Sequence, residues 1–340
     1  MSIYTPRLAE AISDKLLNLI LMPTEYCNFR CTYCYETFKI GKMSPKVVRG
    51  VKNLLTERMQ DLDFLIISWF GGEPLLAQDV IESISDHILS LSKSFSNVRY
   101  RADITSNGYF LTKNVFRKLL HWNIRNYQIA FDGTKEQHDR KRILAKGKPT
   151  FDRLWKNLND IKTVSGDFAV TVRLHLDRDN YGDAPEFLAE FKRDFGNDSR
   201  FTLYVRELSC ITRPIKQILN VFELNEAISI IDNIRRLAES EGINIRVPER
   251  KNHVCQAACY AAKLNSFVVR ANGSIGKCTV VLDRKVNDVG KILEDGHLTL
   301  NRINLMKWAR GLASGNPTEI GCPMLNIDSA NVLLPGRLAV

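Results

Sequence analysis

The sequence predicts an α/β fold built on an open parallel sheet, followed by a small cysteine-rich region. Apolar, β-rich runs alternate with amphipathic helical stretches from residue 17 to about 245. Six strand–helix units in series favour a parallel sheet with right-handed crossovers, and six is short of the eight in a closed barrel. We therefore expect a partial (β/α)6 TIM barrel over residues 1–245, and a small C-terminal cysteine-rich domain with a tail over residues 246–340.

Each unit of the predicted barrel pairs one strand with one helix. The strand-like runs are 17–22, 63–70, 98–105, 126–132, 168–176 and 201–208. The helical stretches are 44–60, 78–93, 112–121, 150–164, 183–194 and 223–241. Ser44 before Pro45, and Thr112, are typical helix starts. Further along, the run SFVVRANGSIGKCTVV predicts a hairpin that turns at Asn272 and Gly273, and a helix is expected at about 301–313.

Composition narrows the class of protein. No apolar run reaches the ~18 residues that a membrane span needs, and the N-terminus MSIYTPRLAEAISDK lacks a secretory apolar core. We therefore expect a cytoplasmic protein without a membrane partner. In a reducing compartment, eight cysteines indicate metal or cluster binding rather than disulfides. The net charge of +10 favours acidic partners, but the basic runs are short and we do not expect nucleic acid.

Three cysteines follow the first predicted strand at the spacing C-x3-C-x2-C. Cys27, Cys31 and Cys34 lie in one loop, and a loop of this spacing can wrap three thiolates around three corners of a [4Fe–4S] cluster. The fourth iron then has no protein ligand and must be bound by another molecule. A zinc knuckle is the alternative, but structural zinc takes four ligands and no fourth Cys or His lies near this loop.

This motif, with the run WFGGEP at 69–74, resembles the motifs of the radical S-adenosylmethionine (SAM) superfamily. The resemblance implies that SAM chelates the open iron, and that one electron from the cluster splits it into methionine and a 5′-deoxyadenosyl radical. It also implies that the GGEP motif meets the amino group of SAM. The residues of this motif are Gly71, Gly72, Glu73 and Pro74. Glycines there let backbone approach a ligand closely.

The same resemblance assigns residues at the ends of later strands. Ser106 and Asn107 would meet the ribose or carboxylate of SAM, although Asn-Gly is also a plain turn signal. Arg173 would pair with the SAM carboxylate, or else with a nearby Asp or Glu, because a buried charge needs a partner. Tyr35 would stack near the adenine, or else only pack in its loop. Asp132, the candidate catalytic residue, would hydrogen-bond the substrate or else cap the next helix.

A second group of cysteines lies in the C-terminal region. Its members are Cys255, Cys259, Cys278 and Cys322. With Gly273, the group fits the C-x9-15-G-x4-C opening of the SPASM and twitch auxiliary-cluster domains, and four thiolates would hold a second [4Fe–4S] cluster. A structural zinc is the alternative, and His253 could replace one thiolate. The later cysteine block of a full SPASM domain is absent, so we expect a shortened, twitch-like domain. Cys210 is read as an inert thiol, or else as a cluster ligand or substrate contact.

The resemblance to the SPASM/twitch branch implies a maturase of ribosomally made peptides. Hydrogen abstraction from a precursor peptide would give a C–C or thioether crosslink or an epimerised residue, with electrons from a reductant such as flavodoxin or ferredoxin. A leader peptide is expected to dock on the barrel, on the auxiliary domain or on a separate protein, since only sixteen residues precede the first strand.

Three other functions remain open. One is a twitch enzyme that acts on a small molecule, as in molybdenum-cofactor synthesis or aminoglycoside dehydrogenation. Another is a sulfatase-maturating enzyme, although that family carries an Asp directly after the cysteine that matches Cys278, where this sequence has Thr279. The third is a non-catalytic iron–sulfur or zinc protein that binds nucleic acid.

Overall fold

Six parallel strands form the centre of the structure and follow one another in the sheet as they do in the chain. The strands are β1 (Leu16–Leu21), β2 (Phe64–Trp69), β3 (Arg99–Ser106), β4 (Ile124–Phe131), β5 (Ala169–Leu176) and β6 (Phe201–Glu207). The computed structural model describes residues 4–208, 220–246, 250–251, 254–255 and 258–329, and the side chains of 8–208, 220–246 and 258–329. All six strands lie where the sequence predicts them, which confirms the fold class.

Helices connect the strands and cover one face of the sheet. They are α1 (Tyr4–Ile12), α2 (Pro45–Arg58), α3 (Gln78–Ser94), α4 (Lys113–His121), α5 (Lys135–Lys141), α6 (Phe151–Lys162), α7 (Ala184–Phe195) and α8 (Leu224–Ser240). The predicted helix starts are confirmed, because the side chains of Ser44 and Thr112 each accept a hydrogen bond from the helix that follows. No described helix has the length and apolar character needed to span a membrane.

Two of these helices are missing from the sequence prediction. The sequence of α5, KEQHDRK, has no apolar stripe, so it carries no helical periodicity. Helix α1 is fixed by a long-range contact, in which the amide of Leu264 donates to the carbonyl of Ala11 at 2.8 Å. Local patterns cannot show either of these features.

The two faces of the parallel sheet differ in chemistry. In β5, Val170, Val172 and Leu174 are buried in the core beneath the helices, whereas Arg173 and His175 lie on the opposite, inner face, since successive side chains in a strand alternate. The inner face is therefore polar and partly open. It is the surface on which a ligand can meet the carboxyl ends of the strands.

The C-terminal region adds six strands, four of which extend the same sheet. They are β7 (Arg250–Lys251), β8 (Val254–Cys255), β9 (Ser266–Val269), β10 (Ser274–Gly276), β11 (Gly290–Ile292) and β12 (Leu298–Leu300), followed by helices α9 (Arg302–Ser314) and α10 (Pro317–Gly321). Strand β9 pairs in parallel with β1, so β12 and β6 are the two ends of a ten-stranded sheet among the described residues, while β7 and β8 pair with each other. The predicted hairpin is confirmed in β9 and β10, with Gly273 in its turn at φ +84°. A domain division at residue 245 stays a prediction, and Val247 and Pro248 lie outside the described residues.

Candidate functional site

The loop after β1 carries Cys27, Cys31 and Cys34. The amide of Cys34 donates to the carbonyl of Cys31 at 3.1 Å, which folds the C-x2-C segment into a turn. Burial raises the pKa of Cys27 to about 12 and that of Cys34 to about 11, and neighbouring anionic groups and thiols add to both shifts. A metal that binds these sulfurs must therefore displace their protons.

The two glycines of the GGEP run pack against the backbone that leads into this loop. A Cβ on Gly71, which has φ +126°, would stand 2.2 Å from the carbonyl oxygen of Thr24. A Cβ on Gly72 would stand 2.5 Å from the carbonyl oxygens of both Glu25 and Tyr26. Glycine is required here because the cysteine loop itself approaches so closely, a reason that the sequence alone does not reveal.

Glu73 joins the ends of β2 and β3. Its carboxylate is fully buried, and it accepts hydrogen bonds from the amide of Leu75 at 3.0 Å, the hydroxyl of Ser106 at 2.8 Å and the amide of Asn107 at 2.7 Å. Burial raises the pKa of Glu73 to about 7, although these hydrogen bonds oppose the shift. Because a carboxylate has about four acceptor positions, one remains for a further donor. Pro74 is buried and begins a single turn of 3₁₀ helix behind this carboxylate.

Asn107 continues this connection to the cysteines. Its side-chain nitrogen donates to the Oδ1 of Asn28 at 2.8 Å and lies 3.6 Å from the sulfur of Cys27. Its Oδ1 accepts from the amide of Tyr109 at 2.9 Å, which fixes the amide group in place. The structure thus brings Glu73, Ser106, Asn107 and the first cysteine into one hydrogen-bonded path.

The segment after α5 holds the other side of the loop. The amide of Arg30 donates to the carbonyl of Ile143 at 2.8 Å, and the amide of Thr32 donates to the carbonyl of Lys141 at 3.0 Å. Lys141 is itself buried and pairs with both carboxylate oxygens of Asp177, at 2.5 and 2.6 Å. The cysteine loop is therefore fixed between strand ends on one side and this buried ion pair on the other.

A buried polar cluster lies beneath the loop. The hydroxyl of Tyr33 donates to the Oδ1 of Asp132 at 2.9 Å and accepts from the guanidinium of Arg142 at 2.8 Å. The Nδ1 of His175 lies 3.3 Å from the same oxygen of Asp132. Asp132 does not cap α5, since the residue at that position is Thr134. Among the described residues, the other carboxylate oxygen of Asp132 is buried and has no hydrogen-bond partner.

The pKa values of the two titratable groups in this cluster show which of them is charged at neutral pH. Burial opposes ionisation of Asp132, but the hydrogen bond with His175 and the charge of Arg142 lower its pKa to about 2. Burial, together with the charge of Arg173, lowers the pKa of His175 to about 4. At neutral pH the cluster therefore holds a carboxylate anion beside a neutral imidazole, and the unpaired oxygen of Asp132 can accept a proton donor.

Arg173 and Tyr35 are the two remaining candidate SAM-binding residues. Within the described part of the chain, Arg173 forms no ion pair, so the alternative of a structural salt bridge is not observed there. Burial and the like charge of Arg206 lower the pKa of its guanidinium. Tyr35 lines a cavity of ≈ 230 Å³ together with Glu36 and Arg270 of the C-terminal region. Because burial and the nearby Glu36 raise its pKa, the phenol stays neutral.

Cys278 of the second cysteine group lies two residues before Val280, which lines this cavity. Cys278 is buried, and burial raises its pKa, to which Cys322 adds. The amide of Cys259 donates to the carbonyl of Ile320 at 2.9 Å, which brings the segment before β9 against helix α10, the helix that ends just before Cys322. The hydroxyl of Thr279, the position where an Asp would stand in a sulfatase-maturating enzyme, lies 2.8 Å from the hydroxyl of Tyr260. Three thiols of the group are thus gathered near β9 and β10.

The donor set can be compared with the metals that it would suit. No group of three or more His, Cys, Asp or Glu side chains in the described residues converges closely enough to hold a metal ion. Structural zinc takes four ligands at one ion, whereas an iron–sulfur cluster binds each thiolate at a different iron. The backbone of Cys255 lies in β8, but its side chain, together with Cys210 and His253, lies outside the described residues.

Sequence analysis did not identify several residues of this site. Tyr33, Arg142 and His175 belong to the polar cluster, and Tyr204 and Arg206 lie beside Arg173 on the inner face. One available signal was the alternation of Arg173 and His175 along a single strand, which places both on one face. Contacts across more than 100 residues, such as that of Tyr33 with Arg142, leave no local signal.

The site can now be compared with known proteins. The family model of the radical SAM superfamily matches residues 21–191, which include the cysteine loop, the GGEP run and the strands that carry the polar cluster. The chain belongs to the radical SAM superfamily. Enzymes of this superfamily use a [4Fe–4S] cluster and SAM.

Two curated relatives illustrate the range of this match. An uncharacterized protein of Methanocaldococcus jannaschii is 32% identical over 161 residues, which cover 46% of this chain and 53% of that protein. A cysteine-type anaerobic sulfatase-maturating enzyme of Clostridium novyi is 26% identical over 211 residues, which cover 59% of this chain and 54% of that protein. The chain spans about half the length of these two relatives.

Solved structures share the fold. Native anSMEcpe with bound AdoMet and Cp18Cys peptide superposes with a TM-score of 0.64 at 18% identity, covering 86% of this chain and 80% of that one. Streptococcus suis SuiB bound to its precursor peptide SuiA superposes with a TM-score of 0.60 at 16% identity, covering 95% and 73%. These similarities establish the partial-barrel fold of the superfamily for this chain.

Proposed function

We propose that this chain is a radical SAM maturase that modifies a ribosomally made precursor peptide by hydrogen abstraction. The observation that carries the proposal is the hydrogen-bonded path from Glu73 through Asn107 to Cys27. It fixes a loop of three thiols against a buried carboxylate that has one acceptor position left. When bound, the cluster and SAM supply a 5′-deoxyadenosyl radical, and the protein supplies position and exclusion of water.

In this proposal Cys27, Cys31 and Cys34 hold the cluster that binds SAM. The free acceptor position of Glu73 receives the ammonium group of SAM, while Gly71, Gly72 and Pro74 fix the carboxylate and the loop in register. Ser106 and Asn107 complete the wall of the pocket. This assignment differs from the sequence interpretation in one respect, because the glycines act mainly by letting the loop backbone approach.

Arg173 and Tyr35 would hold the two ends of the SAM molecule. Arg173 has a buried Nε without a hydrogen-bond partner in the described part of the chain, so it can donate to the SAM carboxylate. Tyr35 borders the ≈ 230 Å³ cavity and can stack on the adenine. Asp132, with one buried oxygen unpaired among the described residues, is proposed to hydrogen-bond the substrate beneath the radical.

The C-terminal cysteines would hold a second [4Fe–4S] cluster. Cys259, Cys278 and Cys322 are gathered in the described structure, and Cys255 is proposed as the fourth ligand. Tyr35 directly follows Cys34 in the first cysteine loop, and Cys278 of the second group helps to raise its pKa. The second cluster would order the mouth of the barrel or accept an electron from the modified peptide.

A peptide substrate is supported by the shape of the inner face and by the structural neighbours. The inner face of β5 and β6 is polar and partly open. The anSMEcpe structure holds a bound Cp18Cys peptide, and the SuiB structure holds its precursor peptide. The proposed electron donor is a flavodoxin or ferredoxin.

The test is anaerobic turnover with dithionite, SAM and synthetic peptides encoded by open reading frames next to this gene, read by mass spectrometry. Loss of two hydrogens would indicate a crosslink, and deuterium uptake from heavy water without another mass change would indicate epimerisation. If the enzyme cleaves SAM but alters none of these peptides, the maturase proposal fails. Conversion of a sulfatase-derived Cys or Ser peptide instead would favour sulfatase maturation despite Thr279.

A further inference from the structure

The inner face at the open end of the parallel sheet carries a row of basic side chains. Arg173 of β5 stands opposite Tyr204 of β6, and His175 stands opposite Arg206. The backbone continues the sheet beyond β6, because Leu203 bridges in parallel to Ile245 and the amide of Arg246 donates to the carbonyl of Leu203 at 2.7 Å. Alternation along strands therefore places Arg246 beside Tyr204 on the same inner face.

Three guanidinium groups surround one aromatic ring. The Cζ atoms of Arg173 and Arg206 each lie 5.8 Å from the ring centroid of Tyr204, and that of Arg246 lies 5.4 Å away. These are cation–π distances. The ring thus gathers three like charges onto one small surface.

These charges have few acceptors. Among the described residues, the carboxylate within ion-pair distance of them is that of Glu207, whose oxygen lies 3.3 Å from Arg206, and Arg173 and Arg246 form no ion pair. The Nε atoms of Arg173 and Arg206 are buried and lack a hydrogen-bond partner in the same part of the chain. Gathering unpaired cations costs free energy, which a bound anion would recover.

We propose that Tyr204, Arg206 and Arg246 bind an acidic side chain of the substrate peptide, so that the modified segment carries Asp or Glu close to the reacting residue. This inference rests on the proposed peptide substrate. Arg206 occupies the same layer as Asp132 and His175, so a carboxylate held there would lie next to the proposed reaction site. A guanidinium group can form paired hydrogen bonds with a carboxylate or with a phosphate. The experiment therefore has to distinguish a carboxylate ligand from a phosphate ligand.

The experiment measures binding rather than turnover. Isothermal titration of the reconstituted enzyme would use three probes at low salt: an end-blocked hexaglutamate peptide, its hexaglutamine analogue and inorganic pyrophosphate. We expect wild-type enzyme to bind hexaglutamate at least tenfold more tightly than hexaglutamine or pyrophosphate. Arg206→Gln and Arg246→Gln should each weaken hexaglutamate binding by at least tenfold.

The matched control is Arg236→Gln, which removes the same charge from an exposed position on α8. It should change hexaglutamate binding by less than twofold. An equal loss in Arg236→Gln would show non-specific attraction to a basic protein and would overturn the site. Arg206→Lys keeps the positive charge but removes the forked guanidinium, so we expect an intermediate loss of hexaglutamate affinity. Unchanged midpoints of thermal unfolding would show that each variant folds.

Two further outcomes separate this inference from the proposed function. Tight pyrophosphate binding without hexaglutamate binding would overturn the acidic-peptide inference and point to a phosphorylated small-molecule substrate. If hexaglutamate binds as expected but no peptide is modified in turnover, the anion site stands while the maturase proposal fails. Modified peptide with unchanged hexaglutamate binding in both Gln variants would overturn the anion site alone.

Discussion

The two cysteine groups are held by different kinds of structure. Cys27, Cys31 and Cys34 lie within one loop, which is fixed by the ends of β2 and β3 and by the segment after α5. Cys278 and Cys322 are separated by 43 intervening residues, which include strands β11 and β12 and helices α9 and α10. The first site is therefore continuous in sequence and braced by the barrel, whereas the second is assembled by folding onto the edge of the barrel at β1.

This structural difference predicts different functions for the two cysteine groups. A loop whose neighbours are strand ends and buried ion pairs gives a fixed geometry, as the binding of a reactive cofactor requires. The geometry of a cysteine group that is assembled from separate segments depends on how those segments pack against one another. We therefore expect the first group to control SAM cleavage, and the second to control what happens to the substrate.

Replacing all three loop cysteines with Ala should have the largest effect. Iron after anaerobic reconstitution should fall from about eight to about four per chain, and 5′-deoxyadenosine production should stop, because the ligands for the cluster that binds SAM are gone. Iron analysis and chromatography of the products provide the measurement. The control is Thr32→Ala, an exposed side chain in the same loop. Full iron content in the triple variant would contradict the assignment of two separate sites.

Gly72→Ala tests whether the barrel braces the first loop. The added Cβ would stand 2.5 Å from two backbone carbonyl oxygens of that loop, so we expect a cost of about 3 kcal/mol or more, with loss of about half the iron and of SAM cleavage. Iron content and urea unfolding provide the measurement. Gly182→Ala is the control, since a Cβ at that position would have no described atom within 4 Å. Normal iron with weak SAM binding would instead favour a direct glycine contact with the ligand.

Cys278→Ala tests the second group. SAM cleavage should continue at more than half the wild-type rate, while modified peptide should fall at least tenfold. The described hydrogen bonds of the cysteine loop include those from Asn107 and from the segment after α5, and Arg270 of the C-terminal region pairs with Glu25 at 2.7 Å. Cys278→Ala changes none of these groups. Simultaneous quantification of 5′-deoxyadenosine and peptide product provides the measurement, and Thr299→Ala on β12 is the control. Equal losses of cleavage and product would show that the two sites are not separable.

The sequence predicted the two sites unequally, for a physical reason. Strand order, the GGEP run and the loop cysteines are local patterns, and the structure brings Glu73, Ser106 and Asn107 together because parallel strands end at one edge. The polar cluster of Tyr33, Asp132 and His175 depends on contacts between segments that are far apart in sequence, and the pairing of β9 with β1 joins residues about 250 apart. Tertiary packing decides such contacts, and no sequence period reports them.

The smallest expected effect concerns the pH dependence of the braced region. His138 is fully buried and neutral, because its Nδ1 accepts from the amide of Asp132 at 3.4 Å. Burial and the charge of Arg142 lower its pKa to about 3. Its usual value in an unfolded chain is about 6.5, so the unfolded state binds the extra proton between these values. Lowering the pH from 6.5 to 5 should therefore decrease the free energy of unfolding by up to about 1.4 kcal/mol per pH unit from this group.

His138→Asn keeps an acceptor near the amide of Asp132 but removes the titration, so its stability should depend less on pH over the same range. Urea unfolding at pH 5.0, 5.75 and 6.5 provides the measurement. The control is His121→Gln, which removes an exposed imidazole and should keep the wild-type slope. His175, with a pKa lowered to about 4, still contributes a slope of the same sign in the His138→Asn variant. The difference between wild type and variant therefore isolates one proton, and equal slopes would show that His138 is accessible to protonation in the folded barrel.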